Sequence, residues 1–395
     1  MNKTRRIYHF VAVACLALLL GSCRNEDIIY IPDEVEVSRP EYTDVEGFFL
    51  LNEGNMQDNK CSLDYFDYTS GTYLRNIFGL INPGVVMDMG DVGNDLQAYG
   101  TKMWAVVNCS NKVTVMQYPT AKFIKDINIP NCRYIRFHKG YAYVTSYAGP
   151  VEKVERKYQQ QGFVAKIDTT TLQVVARCLV GYQPDELEIV DDKIYVANSG
   201  GYDLNNLETT ISVIDIASFS EVERIEIAPN LHRVRCDKRG ILWITSRGGL
   251  LETMPPCLVA YDTRKRRVVA RFDNFPVGDM WLDGDRLYTV GEAWNEEEQE
   301  WSGMAFSIID TSTMTLINDC FITDGSDALF QHPYGVAVNP VTKDILVTDA
   351  MSYITPGWLR CYGQDGVMKW QVRTGDIPAH FLFVGKEKQA NENND

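Results

Sequence analysis

The sequence lacks the motifs that identify most hydrolases and nucleotide-binding enzymes. Gly-x-Ser-x-Gly, His-Glu-x-x-His and Gly-x-x-x-x-Gly-Lys-Ser/Thr do not occur in it, which argues against a serine-hydrolase elbow, a zincin-type metal site and a P-loop. Histidine is also scarce, with 5 residues in 395. Because general acid–base catalysis uses histidine more than any other side chain, we expect a protein that is not an enzyme.

Positive charge is in deficit. The chain has 38 Lys and Arg against 53 Asp and Glu, a formal net charge of −15. An acidic surface repels a phosphate backbone, so nucleic acid is not an expected partner.

Long apolar runs are absent, and the one notable run lies near the N-terminus. Phe10 to Leu20 is apolar and follows three basic residues; it is too short to span a bilayer but typical of a signal peptide. The next residues, Leu20-Gly21-Ser22-Cys23, resemble a bacterial lipobox. We therefore expect a lipoprotein signal peptide over residues 1–22.

Cys23 is accordingly expected to carry the lipid, with residues 23–45 as a flexible tether because this stretch is polar and contains two prolines. The chain would be anchored in the outer membrane and would face the cell exterior. An ordinary cleaved signal with a chance cysteine is the alternative.

Closely spaced cysteine pairs are missing. None of the 10 cysteines forms Cys-x-x-Cys, which argues against a zinc knuckle. Leaving out Cys15 in the leader and Cys23, we expect the remaining thiols to be mostly free and buried. Disulfides are the alternative, since the cell envelope permits them.

What the sequence has in abundance is one strand pattern. Gln183 to Ile227 contains four short runs of alternating apolar and polar residues separated by turns. Period two with many β-branched residues predicts a four-stranded antiparallel meander.

Two kinds of residue recur at equivalent positions in successive copies of this unit. An aspartate ends the third strand of several copies, where it can accept the N–H groups of the following turn: Asp67, Asp168, Asp215, Asp262 and Asp310. A large apolar residue in the second strand, interpreted as packing between sheets, recurs seven times: Phe49, Trp104, Tyr143, Tyr195, Trp243, Tyr288 and Leu346.

Seven meanders predict an all-β fold, a seven-bladed β-propeller of four-stranded antiparallel blades over residues 46–385. The first copy begins with a second-strand sequence, and residues 377–384 resemble an unpaired first strand. The C-terminal strand should therefore close the ring and remove an exposed edge. Residues 386–395 are expected to be a polar C-terminal tail.

One position at the start of each inner strand should point toward the central channel. These positions are Asp95, Tyr134, Glu186, Arg233, Asp279, Gly335 and His380. Such a ring predicts a small-molecule site. Mutually satisfied charges, such as Arg233 with Glu186, are the alternative, and a cation held by Asp95, Glu186 and Asp279 is a third possibility.

The loops on the same face are rich in aromatic and amide residues. The candidates for ligand contact are Tyr147, Tyr182, Tyr202, Trp294, His332, Tyr334 and Tyr353. Rings bury apolar area while hydroxyls and amides pair with polar groups. The composition favours a large, nearly neutral ligand with amides or hydroxyls, although loop packing also explains each aromatic residue.

Three segments carry a family resemblance: TISVIDIASFSEVERIEI, KIYVANSGGYD and LNEGN. They resemble the YncE-like seven-bladed propellers over residues 47–384. With the lipobox and the segment GDVGNDLQAYGTKMWAVVNCSNKVTV, the chain is similar to Bacteroidetes propeller lipoproteins, including the BtuG-type surface proteins. That resemblance implies capture of cobalamin or another corrinoid and delivery to a TonB-dependent outer-membrane transporter, with no cofactor besides the ligand.

Two other classes of function remain open on the same scaffold. A lyase or lactonase would need a metal or an acid–base pair among Asp95, Glu186, Asp279, His332 and His380. A glycan- or protein-binding module would use the same Tyr and Trp residues as stacking platforms.

Overall fold

The computed structural model describes residues 33–41, 43–85, 89–149, 160–201, 203, 205–249, 254–295 and 300–385, with only the backbone described at residues 293–295 and 300–302. The expectations for residues 1–22, Cys23, Tyr202 and the tail at 386–395 lie outside this part of the chain, as does the side chain of Trp294.

The described residues form 29 strands. The first fifteen are β1 Asp33–Glu36, β2 Val45–Asn52, β3 Ser62–Asp67, β4 Thr72–Arg75, β5 Gly93–Tyr99, β6 Lys102–Val107, β7 Lys112–Gln117, β8 Lys122–Asn128, β9 Cys132–His138, β10 Tyr141–Ser146, β11 Phe163–Asp168, β12 Gln173–Leu179, β13 Pro184–Val190, β14 Lys193–Asn198 and β15 Thr210–Asp215. The rest are β16 Ser220–Glu226, β17 Leu231–Cys236, β18 Ile241–Ser246, β19 Cys257–Asp262, β20 Arg267–Asp273, β21 Asp279–Asp283, β22 Arg286–Asn295, β23 Glu300–Asp310, β24 Thr315–Asn318, β25 Pro333–Val338, β26 Ile345–Asp349, β27 Pro356–Tyr362, β28 Met368–Asp376 and β29 Pro378–Gly385. Helix α1 spans Ile77–Ile81, and a 3-10 helix spans Ser326–Leu329.

These strands form seven antiparallel sheets, which confirms the predicted propeller. Six blades take four consecutive strands each, beginning at β5, β9, β13, β17, β21 and β25. Every inner strand contacts the inner strand of the next blade around the whole circle. Among the described helices, none is long and apolar enough to cross a membrane.

The C-terminal strand closes the ring, also as predicted. β29 pairs antiparallel with β2, with Leu51 opposite His380 and Phe49 opposite Leu382. Blade one is therefore built from both ends of the propeller, in the order β1-β4-β3-β2-β29.

The same blade carries a strand that the sequence analysis placed in the flexible tether. β1 pairs antiparallel with β4, with Val35 opposite Tyr73. Its side chains are exposed, so backbone pairing to the edge of the sheet orders it rather than burial. The tether prediction for residues 23–45 is therefore wrong at residues 33–36.

Seven apolar cores lie between neighbouring blades. Each contains one of the repeated second-strand residues: Phe49, Trp104, Leu346, Tyr195, Tyr288, Tyr143 and Trp243. All seven are buried. Their predicted role as packing residues between sheets is confirmed.

The repeated aspartates also have their predicted role. Each accepts hydrogen bonds of 2.7–3.1 Å from backbone N–H groups two or three residues later: Asp67, Asp168, Asp215, Asp262 and Asp310. These bonds lower the pKa of Asp168, Asp215 and Asp262. For Asp310 the hydrogen bond from the Ser312 hydroxyl, together with the backbone bonds, lowers the pKa. The eight cysteines after Cys23 are all free thiols, and five of them are buried.

Truncating one of the core residues should destabilise the ring. Trp243 is fully buried between two blades, so we expect Trp243→Ala to lower the free energy of unfolding by about 3–5 kcal/mol. The control Ile317→Ala removes a side chain that is 51% exposed on β24. Denaturant unfolding measures both; equal midpoints for the two variants would contradict the packing role.

Candidate functional site

A cavity of about 650 Å³ lies at the face where inner strands begin and second strands end. Six of the seven blades contribute residues to it. Its charged and aromatic lining residues are Glu53, Arg133, Tyr134, His232, Arg233, Arg247, Glu292, Tyr334 and Tyr353. The side chain of Arg247 is 43% exposed, so the cavity reaches solvent.

The seven predicted ring positions all lie on inner strands, but three carboxylates among them have a structural task. Each accepts a hydrogen bond from a backbone N–H of the next blade. The pairs are Ile135 N to Asp95 at 3.0 Å, Val234 N to Glu186 at 2.8 Å and Val336 N to Asp279 at 3.2 Å. Among the described residues no group of three His, Cys, Asp or Glu is placed to hold a metal ion, and this holds for Asp95, Glu186 and Asp279, the set considered as an alternative cation site.

The alternative of mutually satisfied charges named Arg233 with Glu186 as an example, and the structure gives both residues other partners. Arg233 Nε donates to the carbonyl of Gly278 and lies 3.3 Å from Oδ1 of Asp279. Glu186 instead pairs with Arg136 at 2.7 Å and with Arg235. Burial opposes ionisation of Glu186, but the surrounding arginines outweigh it and lower its pKa to about 2.

Tyr134 lines the cavity where it meets the hub. The Arg233 guanidinium lies 5.0 Å from the ring centroid of Tyr134, and the rings of His232 and His380 approach at 6.3 and 6.5 Å, edge-on. Tyr134 is 2% exposed. The rings of Tyr134, His232 and His380 and the Arg233 guanidinium are therefore packed together where the cavity meets the hub.

Asp185 lies behind one side of the cavity wall and holds the residues on that side in place. It is completely buried and accepts hydrogen bonds from Arg133 at 3.0 Å, Arg247 at 3.1 Å and the Tyr147 hydroxyl at 2.8 Å. His232 Nδ1 lies 3.1 Å from its Oδ2. Burial would raise the pKa of Asp185, but Arg133, Arg247 and His232 hold it well below its usual range.

Two carboxylates line the opposite side. Glu53 lies 3.0 Å from His380 Nε2 and accepts the Tyr334 hydroxyl at 2.7 Å. Burial opposes ionisation of Glu53, but these two hydrogen bonds leave its pKa lowered. In the second group, Glu292 lies 2.9 Å from His332 Nδ1 and accepts the Tyr353 hydroxyl at 3.2 Å. Burial dominates there and raises the pKa of Glu292.

The predicted loop residues divide into two groups. Tyr334 and Tyr353 line the cavity, and His332 reaches it through Glu292. Tyr147 is 6% exposed and packs against the Arg133 guanidinium at 4.9 Å, so its role is support. Tyr182 is not among the described lining residues.

Sequence reasoning missed several cavity residues, and a one-residue shift would have found them. Asn94, Arg133, Asp185 and His232 each directly precede a predicted ring position, and Tyr334 does the same in blade seven. Five of seven blades thus place a polar residue one step earlier, and four of these residues line the cavity. Glu53 and Glu292, at the ends of second strands, carry no comparable repeat.

The network makes stability pH-dependent. His232 is buried beside Arg247 and Arg233, which lowers its pKa to about 3. Between that value and its usual pKa near 6.5 the unfolded chain binds a proton that the folded chain does not, so stability falls as pH falls. We expect the wild type to lose about 2 kcal/mol more than His232→Gln between pH 6.5 and 5. Urea unfolding at both pH values tests this; parallel losses would contradict it.

No protein-family model and no curated protein matches the sequence. Solved structures of similar fold are nevertheless known. The chain is similar to a quinonprotein alcohol dehydrogenase-like protein from Bacteroides thetaiotaomicron, at TM-score 0.61 and 13% identity over 87% of this chain and 79% of that one. It is also similar to a provisionally named 6-phosphogluconolactonase from Bacteroides fragilis, at TM-score 0.58 and 13% identity over 87% of this chain and 99% of that one. The apo form of AztD from Citrobacter koseri is similar at TM-score 0.51 and 11% identity, over 86% of this chain and 98% of that one. At these identities the likeness shows the propeller fold alone, which hosts many functions.

Proposed function

We propose that this chain is a non-catalytic, lipid-anchored receptor that holds a small molecule in the hub cavity and delivers it to a TonB-dependent outer-membrane transporter. The supporting observation is the cavity itself. Its volume of about 650 Å³ falls within the range of small-molecule sites, and polar groups from six blades converge on it.

The cavity wall is organised in advance. Arg133 and Arg247 are held by Asp185, and Tyr334 and His380 are held by Glu53. Side chains fixed in this way lose little conformational freedom when a ligand binds, which favours affinity. Binding without chemistry requires no further group.

The specific ligand proposed is cobalamin or another corrinoid. A corrinoid is larger than the cavity, so its macrocycle would lie across the mouth while a substituent enters. Tyr334 and Tyr353 supply aromatic area and Asn94 an amide at that level, which suits a ligand fringed with amides. A glycan or a protein segment would use the same rings, and binding measurements separate these occupants.

Filling the cavity should abolish binding. Gly278 lines it, and a Cβ there meets nothing closer than the Val290 carbonyl at 3.6 Å. We expect the wild type to bind cobalamin or cobinamide in isothermal titration calorimetry, and Gly278→Phe to bind at least about 10-fold more weakly because the ring occupies the space of the ligand.

The matched control is Gly84→Phe, where an added Cβ meets nothing within 4 Å and the residue is exposed. It should bind like the wild type. A wild type that binds glycans but no corrinoid would refute the corrinoid assignment. Unchanged binding by Gly278→Phe would refute the cavity as the site.

One observation favours a propeller enzyme as a second candidate. His332 and Glu292 form a hydrogen-bonded pair at the cavity, the acid–base arrangement that a lyase or lactonase needs. On the receptor proposal, the wild type should turn over no lactone or lyase substrate, with or without a chelator. Turnover that falls by about 100-fold in Glu292→Gln would instead favour the enzyme.

A further inference from the structure

Two residues of blade five, Asn230 just before β17 and Arg233 within it, line the cavity and keep unused hydrogen-bonding capacity. The guanidinium nitrogen Nη1 of Arg233 and the amide oxygen Oδ1 of Asn230 are buried without a hydrogen-bond partner among the described residues. Arg233 is 4% exposed and Asn230 is 9% exposed. A buried donor or acceptor left unpaired is costly, so a ligand that supplies the missing partners would be stabilised at this point.

The turn before the inner strand does not require an unpaired amide. Asn230 has a φ of 55°, in the left-handed region that asparagine tolerates, and Asn131 holds the equivalent place before β9 of blade three with a φ of 44°. The amide of Asn131 is used within the protein: Oδ1 accepts from Asn108 at 2.6 Å, and Nδ2 donates to the carbonyl of Gly149 at 2.9 Å. The side chain of Asn230 therefore retains a hydrogen-bonding capacity that the fold does not use.

The charge of Arg233 already has counter-charges nearby, although its hydrogen bonds are incomplete. Its Nε lies 3.3 Å from Oδ1 of Asp279. Burial disfavours the guanidinium cation, but the groups around it hold the pKa of Arg233 above its usual value: Tyr134, Asp279, Glu186 and Glu53. An anion placed at Nη1 would be repelled by these carboxylates, whereas a neutral carbonyl oxygen accepts the hydrogen bond without that repulsion.

The two other arginines that line the cavity are held by the protein. Arg133 donates to Asp185 at 3.0 Å and to Asn94 at 3.1 Å, and Arg247 donates to Asp185 at 3.1 Å. Of these three arginines, Arg233 is the one whose guanidinium has a buried nitrogen without a partner among the described residues.

We propose that the ligand presents a primary carboxamide to blade five, with its carbonyl oxygen accepting from Arg233 Nη1 and its NH2 group donating to Asn230 Oδ1. The inference rests on the proposed receptor function and deepens it by naming the group that the cavity selects. A primary carboxamide is neutral and has both an acceptor and two donors, whereas an ester lacks the donors and a carboxylate adds charge. A small rotation of the Asn230 amide about its broad terminal torsion, and a comparable one of the guanidinium, bring both atoms to the bound group.

Three probes that differ in one functional group test this chemistry. They are phenylacetamide, methyl phenylacetate and phenylacetate: a primary amide, an ester and a carboxylate. We expect saturation-transfer NMR titration of the full chain to show phenylacetamide binding at least about 5-fold more tightly than either of the other two, because one net hydrogen bond contributes about that factor.

Two variants locate the effect. Asn230→Gly removes the acceptor, and glycine adopts the φ of 55° without strain; phenylacetamide should then bind only as tightly as methyl phenylacetate, whose own affinity should not change. Arg233→Met should weaken the amide and the ester alike, by at least about 5-fold, because both use their carbonyl oxygen there. The matched control is Asn131→Gly, whose amide is bonded within the protein; the ratio of amide to ester affinity should stay at the wild-type value.

The outcomes separate the carboxamide inference from the receptor proposal. Equal affinities for the amide and the ester, tighter binding of phenylacetate, or no binding of any probe overturns the inference, while the receptor proposal stands if corrinoid binding is lost in Gly278→Phe. An amide preference that survives Asn230→Gly also overturns the inference, even where Arg233→Met does not fold. If the preference depends on Asn230 but no corrinoid binds, the inference holds and the corrinoid assignment falls.

Discussion

The antiparallel pairing of β2 with β29 is the constraint on which the rest of the structure depends. It joins segments from opposite ends of the propeller and brings Glu53 to within 3.0 Å of His380, 327 residues away in sequence. Closure gives every sheet two neighbours, so each apolar face is covered and no inner strand is left at an edge. Part of the cavity wall follows directly, because Glu53 meets Tyr334 and His380 across this junction.

A second set of interactions fixes the blades around the hub and decides which polar groups remain for a ligand. Asp95, Glu186 and Asp279 accept backbone N–H groups of blades three, five and seven. From those same blades Thr145 donates to the carbonyl of Asp185, and Thr348 donates to that of Pro378. Hydrogen bonds between the side chains of one blade and the backbone of the next thus lock the ring. Polar groups used in this way are unavailable for binding, whereas the side chains of Asn94, Asp185 and Tyr334, one step along the inner strands, bond to other side chains.

The fold could be predicted from the sequence because its determinants are local and repeated. Trp104 and Trp243 mark second strands, and Asp168 and Asp215 mark the following turns, each through contacts within a few residues or with the next blade. β1 escaped prediction because it pairs through its backbone and carries no buried face.

The site could be predicted only to the level of which face and which strands. Tyr134 and Arg233 lie on inner strands at the hub, as predicted, but Arg233 pairs with Asp279 and not with Glu186, the partner considered as an alternative. The partner of a buried charge depends on how neighbouring blades are rotated, as when Asp185 of blade four bridges Arg133 of blade three and Arg247 of blade five. Such bridges join neighbouring blades, so the strand pattern within a blade does not encode them. The chain's net charge of −15 does not predict these bridges either, because charges more than about 10 Å apart are screened at physiological salt.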